Sequence, residues 1–171
     1  MKIGILSDTH DQVERTSRAV AELIRGGAEA LVHCGDLTVP AVVLECGGLP
    51  CYFVFGNNDF DEPGLLRAMA RIGGHCLGRG GEVALGGRRV AVTHGDSAHE
   101  VRRLLGADPD YLLSGHSHRA ADERRGATRR INPGALYRAT PRTVALLDLG
   151  ADLLTFLEIT ASRTGMDRGS R

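Results

Sequence analysis

Ser114-Gly115-His116-Ser117-His118 sets two imidazoles one residue apart, directly after the apolar run Tyr111-Leu112-Leu113. Histidine is the side chain most often used to bind a transition metal at neutral pH. Both rings can reach one site if the backbone turns sharply between them, and Gly115 and Ser117 are small enough to allow that turn. Alone, the pair could equally be two surface histidines in a loop. Other polar residues with metal-binding atoms also follow apolar runs. Asp8 and His10 come after residues 2–7, Asp36 after 30–33, Asn57 after 51–55 and His94 after 89–92. Four of these candidates are histidines, out of seven in the chain, so the type is concentrated here.

The donors mix carboxylate, amide oxygen and imidazole, without thiolate. That set suits Mn, Fe, Zn, Ni or Co better than calcium or copper(I). A catalytic zinc usually takes three protein ligands. Seven candidates suit two divalent cations that share a carboxylate. Two such ions roughly 3.5–4 Å apart can grip both oxygens of an in-line displacement at phosphorus, and they make a water acidic enough to be hydroxide near neutrality. Each motif is weak by itself. Asp8 could cap the next helix, Gly35-Asp36 reads as an ordinary turn, Gly56-Asn57-Asn58-Asp59 has turn composition, and His94-Gly95 says little. The weight lies in all five standing at strand ends in succession.

The elements that would position them are legible as periodicity. Runs at residues 2–7, 30–33 and 51–55 read as buried strands, and each leads into a helix, over 12–25, 39–46 and 63–72. Three strand–loop–helix units predict right-handed crossovers and a mainly parallel sheet. In open α/β sheets ligands bind beyond the carboxyl ends of the strands, where the candidates stand. From Glu82 the rhythm changes. Runs at 83–85 and 89–92 flank Gly86-Gly87, a hairpin signature. A helix over 98–105 leads to the strand before His116, and strands follow over 121–125, 128–131, 143–149 and 153–159. This mostly β half predicts a second sheet packed on the first.

With 171 residues the chain fits one domain, over residues 1–160, and the polar stretch 161–171 is expected to be a disordered tail. Acidic and basic residues balance at 21 each, so charge gives no argument for a nucleic-acid or membrane partner. Cys34, Cys46, Cys51 and Cys76 form no C-x-x-C pair, which removes zinc-ribbon and thioredoxin readings. Buried, reduced thiols and a cytoplasmic location are expected. The N-terminus lacks the pattern of a signal peptide, and no apolar run is long enough for a bilayer span.

D-x-H, G-D, G-N-x-D, H-G and G-H-x-H in this order resemble the calcineurin-like metallophosphoesterase superfamily. The chain is similar to its small, single-domain phosphodiesterase branch. The likeness covers residues 2–159 and includes Ile131-Asn132-Pro133-Gly134 and Pro141-Arg142. It implies an α/β fold (α+β by some schemes), a two-sheet β-sandwich flanked by helices in four αββα layers. By the same resemblance Asp8, His10 and His118 hold one metal, Asn57, His94 and His116 the other, and Asp36 bridges them. Mn2+ is the first expectation, with Ni2+, Co2+, Zn2+ or Fe as alternatives, and a homodimer is implied as plausible.

Three positions depart from the family pattern. Asn58 stands where relatives often carry a histidine that protonates the leaving group. An amide cannot act as an acid at pH 7, so Asn58 is expected to position the phosphate. Asp59 is expected to orient its neighbours. Asp96 replaces another frequent histidine and is expected to face away, and Ala135 replaces a frequent serine. Ser7 and Cys34 read as packing and supporting positions, His33, His75 and His99 as structural or solvated. Arg119 and Arg138 could touch phosphate. The function this predicts is a divalent-metal-dependent phosphoesterase, a phosphodiesterase first, acting on a small phosphate ester through a metal-bound hydroxide. The alternatives are a non-catalytic scaffold like the retromer subunit of this fold, a nucleotide phosphomonoesterase, and a DNA-processing nuclease. The last usually carries capping regions and a basic stripe, and this chain has neither.

Overall fold

The first apolar run forms β1 (Lys2–Leu6), and Leu6 and Ser7 are followed by a polar turn into α1 (Val13–Arg25). The same pattern repeats twice. β2 (Ala30–His33) leads to α2 (Pro40–Glu45), and β3 (Cys51–Phe53) to α3 (Glu62–Arg71), whose start is capped by the Asp61 carboxylate accepting from Gly64 N–H with Pro63 in the first turn. A two-residue strand, β4 (His75–Cys76), closes this half. In the computed structural model, which describes residues 1–160, β1, β2, β3 and β4 run parallel in that order. The expected tail, 161–171, lies outside the described residues.

The second half begins with the hairpin β5 (Gly80–Leu85) and β6 (Arg88–Thr93), turned by Gly86 and Gly87, both at positive φ. After α4 (Ala98–Leu105) come β7 (Tyr111–Leu113), β8 (Ala121–Arg125) and β9 (Thr128–Asn132). They form a five-stranded sheet in the order β5-β6-β7-β9-β8, in which β6, β7 and β9 are parallel neighbours. The last two strands, β10 (Thr143–Asp148) and β11 (Leu153–Glu158), do not extend this second sheet as expected. They return to the first, with β10 antiparallel to β1. The reason lies in β10 itself. Val144 and Leu146 pack with the helices while Ala145 and Leu147 pack between the sheets, so both faces of β10 are covered where it lies beside β1.

The layers are therefore α1–α3, the six-stranded sheet, the five-stranded sheet and α4, matching the expected four. Ile3, Ile5, Val32, Val92, Leu113 and Ile131 fill the space between the sheets. Leu104 of α4 closes on Ala91 and Leu112 from outside. This packing brings the carboxyl ends of β1, β2 and β3 in one sheet beside those of β6 and β7 in the other. The cysteines are all free, and Cys34, Cys46 and Cys51 are buried, with Cys76 half-exposed. Among the described residues no helix is long and apolar enough to cross a membrane.

Candidate metal centre

Five turns meet at that shared edge. Asp8 and His10 follow β1, Asp36 follows β2, Asn57 to Asp59 follow β3, His94 ends β6, and His116 and His118 follow β7. Asp8, His10, Asp36, His116 and His118 all have positive φ, between 47° and 67°. The left-handed region is uncommon for non-glycine residues and costs about 1–2 kcal/mol each. Strain of that kind collected in one set of loops is characteristic of functional sites. It also corrects the reading of the 114–118 turn, where the histidines themselves take the unusual conformation. Gly115 is required for another reason. A Cβ there would lie 1.7 Å from Ser7 Oγ and 2.6 Å from Asp8 Oδ2.

The ligand atoms converge in two overlapping groups, Asp8 with His10 and His118, and Asp8 with Asp36 and His94, each within 4.8 Å. His118 Nε2 is 3.1 Å from Asp8 Oδ1, although not aligned as a hydrogen bond. Asp36 Oδ2 stands between the groups, 3.4 Å from His94 Nε2 and 3.6 Å from His10 Nε2. Asp8 Oδ1, His10 Nε2 and His94 Nε2 are buried without a hydrogen-bond partner. Buried polar atoms are nearly always satisfied, and these three orphans, divided between two groups that share Asp8, fit cation ligation. Asn57 and His116 sit at the exposed rim. Asn57 lines the same cleft, about 370 Å³, with Asp36, His10 and His118, and the His116 ring stands edge-on to His94 at 5.1 Å.

The supporting bonds cross between the sheets. His94 Nδ1 is 2.8 Å from the Cys34 carbonyl, which fixes Nδ1–H as the donor and aims Nε2 at the carboxylates. Asp8 Oδ2 accepts from Ser7 Oγ at 2.7 Å and from His116 N–H at 3.0 Å, so Asp8 ties the two histidine turns together instead of capping α1. Asp59 is buried, and its carboxylate accepts from Asp36, Gly56 and Thr38 N–H groups, the orienting part expected of it. Burial pushes the Asp59 carboxyl up from its ordinary value. Asn58 lines the cleft, and its backbone N–H and its amide both donate to Asp36, at 2.9 and 2.7 Å, so it also holds a ligand.

Burial works against charging His94, but Asp36 and Asp8 outweigh it and hold the ring up to about 9. Burial raises Asp36, and His94 with both Asn58 donors more than reverse this, leaving it well below the carboxylate range. His10 is lowered by burial. Two contributors were not visible in the motifs. His33, buried, accepts from Gly35 N–H at Nδ1 and therefore donates from Nε2 to Thr9 Oγ1 at 3.0 Å, joining the first two ligand turns. Burial pushes it down to about 3. Asn132 donates to the Gly115 carbonyl and Ser117 Oγ, pinning the third turn; the Asn132-Pro133-Gly134 run was the available signal. Asp96 and His99 are exposed, and His75 is exposed and stacked on Tyr52. Arg119 is exposed, while Arg138 lies over the Tyr137 ring, itself against His10, and lines the cleft.

Residues 1–152 match the model of the calcineurin-like phosphoesterase superfamily domain. The chain belongs to that superfamily. Among its relatives is phosphodiesterase MJ0936 of Methanocaldococcus jannaschii, 27% identical over 154 residues, spanning 86% of this chain and 93% of that protein. The calcineurin-like fold is shared with solved structures. An archaeal phosphodiesterase superposes with a TM-score of 0.84 at 24% identity, over 92% of this chain and 99% of that one. The E. coli phosphoesterase YfcE gives 0.68 at 22%, over 94% and 100%. Zinc-complexed Vps29 of Entamoeba histolytica gives 0.62 at 17%, over 91% and 90%, a likeness of fold alone. With the superfamily comes the phosphoesterase class that the motifs predicted.

Proposed function

We propose that this protein is a divalent-metal-dependent phosphodiesterase acting on small phosphate esters at a two-ion centre. The observation that carries the reading is the set of orphaned Asp8, His10 and His94 atoms converging with Asp36 and His118. Asp8, His10 and His118 would hold one ion and Asn57, His94 and His116 the other, with Asp36 between them. Two such ions supply Lewis acidity at phosphorus and a hydroxide nucleophile. Mn2+ is the first candidate, since the donors are oxygen and nitrogen only.

The chain's own part is to hold, aim and neutralise. His94 and His10 flank Asp36, so the bridging carboxylate stays ionised and oriented, and Asn58 fixes both its oxygens. Arg138, held over Tyr137, offers its guanidinium to the phosphate side of the cleft. None of the groups here is an acid suited to a poor leaving group, so aryl and nucleotide diesters are favoured over alkyl ones. A diesterase is favoured over a monoesterase by likeness to the archaeal relative. The balanced charge supports a small substrate over a nucleic-acid polymer, and the free cysteines support a cytoplasmic setting.

The test is a hydrolysis panel of diesters beside monoesters after reconstitution with Mn2+, Ni2+, Co2+, Zn2+ or Fe2+, with Asp36→Asn as control. Metal-dependent diester turnover that the substitution abolishes is expected. Absence of turnover with every metal would favour the scaffold role instead.

A further inference from the structure

A second cleft, about 300 Å³, adjoins the first and shares His116 with it. It lies between α4 and the β8–β9 hairpin, bounded by Val101, Glu123, Arg125 and Arg130, with Ser117 and His116 forming the wall toward the metal centre. The register explains its composition. Arg130 pairs with Glu123 on one side and with Leu112 on the other, so all three share the face that Leu112 turns toward α4. Arg125, two residues from Glu123, projects from the same face.

Charge in this cleft is not balanced. Glu123 is committed to Arg125, with Nε to Oε2 at 3.2 Å. The Arg130 guanidinium, half-buried beside them, has no hydrogen-bond or ion-pair partner among the described residues. A guanidinium without a protein partner leaves its fork of donors open to a phosphate or carboxylate. His116 follows Leu112, the register partner of Arg130, by four residues, of which only Leu113 continues the strand before the chain turns, and His116 and Arg130 both line the one cleft. His116 lines both this cleft and the one that Asp36 and Asn57 line, so a molecule bound in one can extend into the other.

We propose that this cleft is a subsite for a second phosphate. The substrate is then a phosphodiester bearing a further phosphate beyond the scissile link, with Arg130 taking the distal phosphate while the diester lies on the other side of His116. The inference rests on the phosphodiesterase reading and narrows its substrate class. A single free guanidinium, with no basic stripe beyond it, selects a short anionic substrate rather than a polymer.

The experiment compares a dinucleotide with and without a 5′-terminal phosphate as substrates of the Mn2+-loaded protein. The expected preference in kcat/KM for the phosphorylated form is about tenfold, the scale of one charge-assisted pair, falling toward parity in Arg130→Gln. Glu123→Gln, which releases Arg125 to the cleft, should raise the preference. An identical ratio in all three proteins overturns the inference while diester turnover itself stands. If no diester is hydrolysed, the functional reading fails separately, and binding decides the subsite. Inorganic pyrophosphate titrated into metal-free protein should shift one arginine Nε–Hε resonance that is missing from Arg130→Gln. Absence of such a shift overturns the subsite.

Discussion

Gly115→Ala is the sharpest single perturbation of the centre. The added Cβ would stand 1.7 Å from Ser7 Oγ, 2.8 Å from Ser7 Cβ and 2.6 Å from Asp8 Oδ2. Neither neighbour can step aside freely. Ser7 Oγ is bonded to Asp8 Oδ2 at 2.7 Å, and that oxygen also accepts from His116 N–H at 3.0 Å. The turn after β7 must therefore lift from the turn after β1. Overpacking of this kind costs ~1–3 kcal/mol, and the strained charge-assisted bond adds ~1–2 kcal/mol. For a chain of this size a total of about 2–5 kcal/mol lowers the Tm by roughly 4–20 °C. Because Asp8 and His118 part company, Mn2+ affinity should fall by at least about tenfold. Scanning calorimetry and metal titration read the two effects. Ser7→Ala in the same chain removes the worst contact and should recover about 1 kcal/mol or more relative to additivity. A Gly115→Ala protein with unchanged Tm and metal affinity, or no coupling to Ser7→Ala, would refute the described contact.

Asp36 and Asp8 hold the metal-free His94 up to about 9, so below that pH a cation must displace its proton; Mn2+ affinity at the site His94 serves is expected to rise close to tenfold per pH unit from pH 6.5 to about 9, with about one proton released there, measured by titration calorimetry in buffers of different ionisation enthalpy. In the metal-free protein His94, raised, adds stability that is full below its unfolded value near 6.5 and lost as pH climbs to about 9. His33, lowered to about 3, adds stability that is lost as pH falls from about 6.5, so urea midpoints should peak near pH 6.5 and the alkaline slope should flatten on metal loading. Asp59→Asn leaves an amide among three N–H donors and should cost about 2–4 kcal/mol in chemical denaturation while weakening metal binding, since Asp36 N–H loses its acceptor. Arg129→Met breaks the paired contacts to Asp122 and Asp152 far from the centre; it should cost roughly 1–3 kcal/mol and leave Mn2+ affinity unchanged.

The location of the centre was legible because a parallel strand delivers the residue after its last apolar position to one edge, and five runs did so. The helix over 98–105 and the strand over 121–125 were readable to the residue, being bounded by strong turn signals. What local pattern could not carry was nonlocal. The place of β10 depends on which layers cover its two faces, a property of the assembled sheet. The left-handed backbone of His116 and His118 is imposed by the bonds that Asp8 and Asn132 make to their turn, not by a glycine. His33 looked structural and is, yet its bonds to Gly35 and Thr9 reach the ligand turns, which only the meeting of β1 and β2 reveals. The bonds of Asn58 to Asp36 join the loops after β3 and β2, a contact that its place in the motif does not reveal.

Anomalous scattering from Mn2+-soaked crystals tests the central claim most directly. Two peaks are predicted, one among Asp8, His10 and His118 and one among Asn57, His94 and His116, with Asp36 between them. A single peak elsewhere, or no peak among these side chains, would contradict the two-ion account.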